Sequence, residues 1–167
     1  MNSKGFTLIE LVVVIVILGV LAVTAVPKYI NLQADAQTAT LEGVKAAMQG
    51  ASALVYSKSL VAGNQKIAAS DSPSPFITLN DGTELDIGYG YPIVPPPIPG
   101  LGDPDGYWRS LLNLDDTFLI RVATNGSLVI YIDGVTTPTS STDPCIAVYQ
   151  SPNSAVDKPN IKVNDCL

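Results

Sequence analysis

The sequence predicts an α+β fold. One long N-terminal helix lies half in a membrane and half packed on a small antiparallel sheet, and a disulfide loop closes the C-terminal region. Residues 6–26 form an apolar run whose only charged side chain is Glu10. An apolar stripe with helical spacing continues beyond this run. Short segments rich in β-branched residues, separated by turn residues, follow Gly63, and two cysteines lie near the end.

The apolar run is long enough to cross a membrane. Its 21 residues would form a helix of roughly 32 Å, against a hydrocarbon core of about 30 Å. A secretory signal has a shorter apolar region, of about 7 to 15 residues, before a small-residue cleavage site. Residues 22–25 fit such a site weakly, which leaves an exported soluble protein as the minor alternative. The helical pattern that continues past Pro27 argues against it.

Glu10 is the residue of this span that points to function. A carboxylate in hydrocarbon costs several kcal/mol unless a partner neutralises it, so acids inside a span are functional candidates. Its place near the start of the run leaves open a passive position among the lipid headgroups.

The second half of the helix is predicted from a stripe that steps alternately by four and three residues. The stripe consists of Ile30, Ala34, Gln37, Leu41, Val44, Met48, Ala51 and Val55. Such spacing places side chains on one helix face, which we expect a sheet to cover. The whole helix would be about 50 residues long, against a globular mean of about 12. Gly19 and Pro27 weaken it, because glycine lowers helix propensity and proline removes a backbone donor.

A first hairpin and a short helix are predicted in the following region. Residues 76–79 and 84–87 flank the turn sequence Asn80-Asp81-Gly82. Five prolines within residues 92–100 favour a stiff polyproline II loop and exclude a central strand. Residues 103–114 are expected to hold a short helix that turns three side chains inward, namely Trp108, Leu111 and Leu112.

A second hairpin is predicted around Asn125-Gly126, between residues 117–123 and 128–132. Asn-Gly favours a two-residue turn, which predicts the pairs Val122 with Val129 and Ile120 with Tyr131. One face of this hairpin would then lie on the helix and carry Phe118, Ile120, Val122, Val129 and Tyr131. A third strand is expected at residues 145–149.

The two cysteines, Cys145 and Cys166, lie outside the span. In an oxidising compartment an even pair predicts one disulfide, which would contribute roughly 3 kcal/mol through loop closure. Metal binding is disfavoured, since histidine is absent and two thiols fill only half of a tetrahedral site.

Composition disfavours two functional classes. The net charge is −6 and the nine Lys and Arg residues are scattered, so a nucleic-acid partner is not expected. Without histidine, a nucleophilic serine would lack its usual base, and the sequence contains no glycine-rich phosphate loop. No enzyme activity and no cofactor are therefore predicted.

Two further motifs have simpler explanations. Asp103, Asp105 and Gly106 match part of a calcium loop, but turn chemistry explains them better. Asn125-Gly126-Ser127 matches a glycosylation acceptor and is equally explained as a turn.

The N terminus resembles that of type IV prepilins, in which a short hydrophilic leader ends in Gly and the mature chain begins with Phe. The resemblance to type IVa pilins covers residues 1 to 30 and is carried by Gly5, Phe6, Thr7, Leu8, Glu10, Gly19 and Pro27. Residues 25–33, 50–58 and 89–92 are also similar to the mannose-sensitive haemagglutinin pilins of marine gamma-proteobacteria.

This resemblance implies a type IV pilin fold and a set of processing and assembly residues. A prepilin peptidase would cleave between Gly5 and Phe6 and methylate the new amine. That amine would pair with Glu10, within one subunit or between neighbours, and so set the register of assembly. The helix between Gly19 and Pro27 would be able to unwind in the fibre. The loop closed by Cys145 and Cys166 would be a subunit contact and an exposed surface.

The resemblance also implies partners and a location. The partners are further copies of the chain, the prepilin peptidase and a pilus assembly platform in the inner membrane. The subunit would span that membrane once, with its N terminus cytoplasmic, and later join an extracellular pilus that attaches to surfaces. We expect a leader at residues 1–5, a transmembrane half-helix at 6–27, a packed half-helix at 28–60 and a head at 61–167.

Two alternatives remain open. A pseudopilin of a type II secretion system shares the same N terminus but acts as a short periplasmic piston. A membrane-anchored periplasmic enzyme or binding domain would need a pocket that the sequence does not indicate. The C-terminal cysteine pair and the incomplete calcium spacing favour the pilin.

Overall fold

The computed structural model describes residues 6–79, 82–94 and 104–167, and these have the α+β architecture that the sequence predicts. Several features of the sequence analysis lie outside the described residues, namely Gly5 with its leader, Asn80, Asp81, the prolines of residues 95–100, Asp103, and the side chains of Pro27, Ile30 and Asp105.

The elements follow the order α1 (Leu8–Ala62), β1 (Phe76–Thr78), β2 (Glu84–Gly88), β3 (Tyr91–Pro92), α2 (Pro104–Leu112), β4 (Phe118–Val122), β5 (Leu128–Ile132), β6 (Ile146–Gln150) and β7 (Asn160–Asn164).

Helix α1 is 55 residues long and continues without a break through position 27. It ends at Gly63, whose left-handed backbone (φ 74°) lets its N–H bond to the Leu60 carbonyl, as helix C-caps commonly do. The predicted stripe is confirmed in the second half of the helix, where these members are buried: Leu41, Val44, Met48, Ala51 and Val55.

A four-stranded antiparallel sheet, in the order β4-β5-β6-β7, packs on this stripe. The predicted third strand is β6, which begins at Ile146 rather than at Cys145. Strand β7 was not predicted. It pairs along the whole length of β6 and brings the C-terminal segment back against α1.

The register predicted for the second hairpin is wrong. Val122 pairs with Leu128 and Ile120 with Ile130. The Ala123 N–H bonds to the Ser127 carbonyl at 2.8 Å, and the Gly126 N–H bonds to the Ala123 carbonyl at 2.9 Å. Gly126 has φ 78° whereas Asn125 is not in the left-handed region. The loop is therefore a turn closed by a left-handed glycine, one residue longer than the two-residue turn that Asn-Gly favours.

This shift changes which side chains share a face, because a slip of one residue moves a side chain to the opposite side of a sheet. Phe118 and Ile120 pack towards the helix together with Leu128 and Ile130. The other face carries a second apolar cluster, whose members include Val129, Tyr131, Ile146 and Val148. The predicted common face of both strands is therefore wrong.

The first hairpin is confirmed as β1 and β2, with Thr78 opposite Glu84. Strand β3 completes this three-stranded sheet at its edge, a place where the Pro92 it contains is tolerated. The sheet packs on the C-terminal part of α1, where Val55, Ile77 and Leu85 are buried together.

Helix α2 confirms the predicted short helix and turns Trp108 into the core, with Leu111 and Leu112 partly buried beside it. The Trp108 indole N–H donates to the Ile93 carbonyl at 3.3 Å, and its ring lies 4.4 Å from that of Tyr149. The Tyr149 hydroxyl donates to the Pro92 carbonyl at 2.7 Å. Burial raises the pKa of Tyr149, so it stays a neutral donor there.

Gly90 provides a test of the contact between β3 and α1. Its φ is 84°, and a Cβ there would lie 2.8 Å from Tyr56 Cδ2 and 3.0 Å from Ser59 Oγ. Gly134 has a similar φ of 87° with nothing within 4 Å of such a Cβ. We expect Gly134→Ala to cost about 1–2 kcal/mol from backbone strain, and Gly90→Ala to cost about 1–3 kcal/mol more from overlap.

The measurement is urea unfolding of the full chain in detergent micelles, followed by the fluorescence of Trp108, the only tryptophan. Equal losses of stability in the two variants would contradict the close approach of β3 to α1.

Candidate functional site

The first half of α1 is an apolar helix that no described residue of the head covers. Residues Leu8–Ala25 have a mean hydropathy of 2.9, and 0% of this segment is buried. Its length and composition suit a membrane span. Among the helix side chains that the structure describes, by contrast, the head fully buries positions only from Leu41 onward. Helix α1 therefore presents one covered half and one uncovered half.

Glu10 and Thr7 form a capping box at the start of this uncovered half. Thr7 has an extended backbone (φ −81°, ψ 149°), and its Oγ1 accepts a bond from the Glu10 N–H at 3.4 Å. The Glu10 Oε2 atom accepts two bonds in return, from the Thr7 N–H at 2.9 Å and from the Thr7 hydroxyl at 2.7 Å. The carboxylate thus has partners within its own chain and satisfies free donors of the first helical turn.

The role of Glu10 as a capping residue was not predicted from the sequence. The signal was present, since Thr followed three residues later by Glu before an apolar run is the sequence signature of a capping box.

The predicted assembly residues Phe6 and Glu10 lie together at this end. Phe6 is 83% exposed, and a shallow cleft around Glu10 is lined by Phe6, Ile9, Val13 and Val14. Before any cleavage the nitrogen of Phe6 is a peptide amide and carries no charge. The positive partner predicted for Glu10 can therefore exist only after processing.

The predicted flexible segment between Gly19 and Pro27 is helical throughout. A Cβ at Gly19 would meet nothing within 4 Å, so no close packing within the described chain requires a glycine there. The Thr24 hydroxyl donates to the Leu21 carbonyl at 3.0 Å, an intrahelical bond of a kind that often bends helices.

The predicted disulfide between Cys145 and Cys166 is present and lies against α1. The Cys166 N–H donates to Thr38 Oγ1 at 2.9 Å, and Cys145 Sγ is 3.8 Å from Gln37 Oε1. The bridge therefore ties the C-terminal segment to the start of the covered half of α1.

The turn before the bridge is held by Asp143. Its carboxylate accepts backbone N–H bonds from Ser140 and Thr139, at 2.9 and 2.7 Å. These bonds lower the pKa of Asp143, so the turn keeps a charged acceptor at mildly acidic pH.

Comparison with known proteins gives two matches, and one of them falls on the N terminus. Residues 1–26 match the family model for the Prokaryotic N-terminal methylation motif. Over 54 residues the chain is 46% identical to the "Type IV narrow pilus major component PilA5" of Thermus thermophilus. This alignment covers 32% of the chain and 47% of the relative, so the chain spans about half the length of the curated relative it matches. No solved structure matches the chain significantly.

The methylation motif covers residues 1–5, Phe6 and the uncovered half of α1. Beyond this segment the structure has a head with antiparallel sheets and a C-terminal disulfide. The chain thus combines a prokaryotic N-terminal methylation motif, and a partial likeness to a type IV pilus component, with an α+β architecture.

Proposed function

We propose that this chain is a structural subunit of an extracellular type IV pilus, which polymerises through α1 and attaches to surfaces. The observation that carries the proposal is the uncovered apolar half-helix, Leu8–Ala25, within a methylation motif. The relative that the chain resembles is named as the major component of a pilus. The activity proposed is self-association, and no catalytic step is part of it.

The uncovered half-helix needs two apolar environments in turn. Burial of apolar surface contributes roughly 25 cal/mol per Å², so a helix that is apolar on all sides is unstable in water. Lipid would cover it before assembly, and the helices of neighbouring subunits would cover it in a filament. Contacts between different patches of identical subunits form an open helical stack when they do not close into a ring, and such a stack is the geometry of a fibre.

Glu10 would supply the specificity of this association. Cleavage between Gly5 and Phe6 would create a methylated, positively charged amine on Phe6, four positions before Glu10. An amine and a carboxylate in this relation, or on neighbouring subunits, offset each other's desolvation, whereas a lone charge in hydrocarbon is costly. Assembly would therefore favour arrangements in which each carboxylate has an amine as its partner.

Processing and location follow from the same segment. The partners would be a prepilin peptidase, an assembly platform in the inner membrane and further copies of the chain. The subunit would span the inner membrane once, with its N terminus cytoplasmic, and would be extracellular after assembly. The segment between Gly19 and Pro27 would lend the fibre extensibility, and the loop closed by Cys145 and Cys166 would form a subunit contact and an exposed surface.

The first test concerns processing. We expect the assembled protein to lack residues 1–5 and to carry one added methyl group, because residues 1–26 match a methylation motif and the prepilin resemblance implies cleavage between Gly5 and Phe6. Intact-mass measurement of protein sheared from cells checks both changes. A mature chain that begins near Val26 would instead establish an ordinary signal peptide.

The second test separates membrane insertion from assembly. Glu10→Leu makes the span more apolar, so insertion should be kept, and the head should fold as before. Filaments should be lost or sharply reduced, because the amine of Phe6 loses its partner and breaking a buried pair typically costs about 3 to 5 kcal/mol. Electron microscopy of cells counts the filaments, and membrane fractionation measures insertion.

Two matched variants assign the effect to charge rather than to capping. Glu10→Gln keeps a side chain that can complete the capping box but removes the charge, so filaments should still be lost. Thr7→Val removes the hydroxyl of the box but keeps the Glu10 charge, so filaments should form. Normal filaments in both Glu10 variants would refute charge pairing. A wild-type chain that supports secretion but builds no surface filament would favour the pseudopilin.

A further inference from the structure

We infer that Lys28 and Tyr29 form a lipid-headgroup site, which takes the phosphate of an anionic phospholipid at the membrane face nearest the head. The inference rests on the membrane span of the proposed function. The site would lie at the second end of that span, opposite the end that carries Glu10.

The position of Lys28 along α1 fits this boundary. The chain has no charged residue between Glu10 and Lys28. The axial rise from Leu8 to Lys28 is about 30 Å, which equals the thickness of a typical hydrocarbon core. With the capping box at one surface of the bilayer, Lys28 reaches the other.

The head leaves this turn of the helix open. Lys28 is exposed and Tyr29 is 78% exposed, and within the described part of the chain neither side chain has a hydrogen bond or ion pair. Leu32, one turn further, is also 63% exposed. Leu41, the first fully buried position among the described helix side chains, lies about 20 Å beyond Lys28 along the axis. A headgroup layer can therefore reach the pair without displacing the head.

The chemistry of the two side chains suits a headgroup layer. Tyrosine is enriched at membrane interfaces, where its ring lies in apolar surroundings and its hydroxyl meets water. A lysine at the end of a span extends its ammonium group towards the interface and attracts anionic lipid. The next charged side chain is Asp35, two turns along the helix. A carboxylate that competes with lipid phosphate for Lys28 would therefore come from a second copy of the chain.

The test places a reporter at the site in the full chain. Tyr29→Trp keeps an interfacial aromatic residue, and Trp108, buried in the head, gives a constant background. The protein is reconstituted in vesicles of phosphatidylcholine and phosphatidylglycerol, and quenching is compared when either lipid carries bromine. We expect the lipid next to position 29 to be phosphatidylglycerol rather than phosphatidylcholine by about fivefold, because one cationic side chain near an anionic surface gives a preference of this size. Lys28→Ala should remove the preference.

Matched controls define the outcomes. Leu54→Trp, at a site in the head that is 71% exposed, should not be quenched by either lipid, and Lys28→Arg should keep the preference. Equal quenching by both lipids, or a preference that survives Lys28→Ala, would overturn the site while leaving the span intact. If Lys28→Ala instead changed self-association in pure phosphatidylcholine, a carboxylate of a second copy would be the occupant. Absence of all quenching at position 29 would refute the span as well.

Discussion

The structure depends on one long helix whose two halves have different side-chain patterns along a single axis. A helix bonds its own backbone, so it can leave the head and enter lipid without exposing unpaired donors or acceptors. Only the side-chain pattern changes along α1. It is apolar on all sides at Leu8–Ala25, where nothing is buried, and apolar on one face where Leu41, Met48 and Val55 are buried. The same element therefore has one half that suits a membrane span and one half that forms part of the core of a folded head.

The head contacts the second half of this helix along its length, and both ends of this contact are anchored. Where the covered half begins, the Cys166 N–H bonds to Thr38 and the disulfide lies beside Gln37. Towards the C-terminal end of the helix, the three-stranded sheet packs around Val55. The chain end is thereby returned to the helix, and the packing that stabilises the head involves the covered half alone. The described residues of the head leave the first half uncovered, as the proposed polymerisation would require.

The apolar run and the helical periodicity that follows it were enough to predict α1 and the buried face of its second half, and the inward turn of Trp108 was also expected. The register of the second hairpin was not predictable in this way. Asn-Gly favours a two-residue turn, whereas the backbone here places only Gly126 in the left-handed region, and packing of both sheet faces decides which register is kept. Strand β7 alternates apolar Ile161 and Val163 with polar residues, a weak pattern that pairing with β6 stabilises.

The capping box at Glu10 is compatible with the proposed pairing of this carboxylate with an amine. Both hydrogen bonds from Thr7 end on Oε2, and no described residue donates to Oε1. A carboxylate oxygen can accept more than one bond, so an amine can approach Oε1 while the capping box stays in place. The cap would lower the cost of carrying the acid into a membrane, and it orients the carboxylate at the helix start. Capping and charge pairing therefore need not compete, and the first would prepare Glu10 for the second.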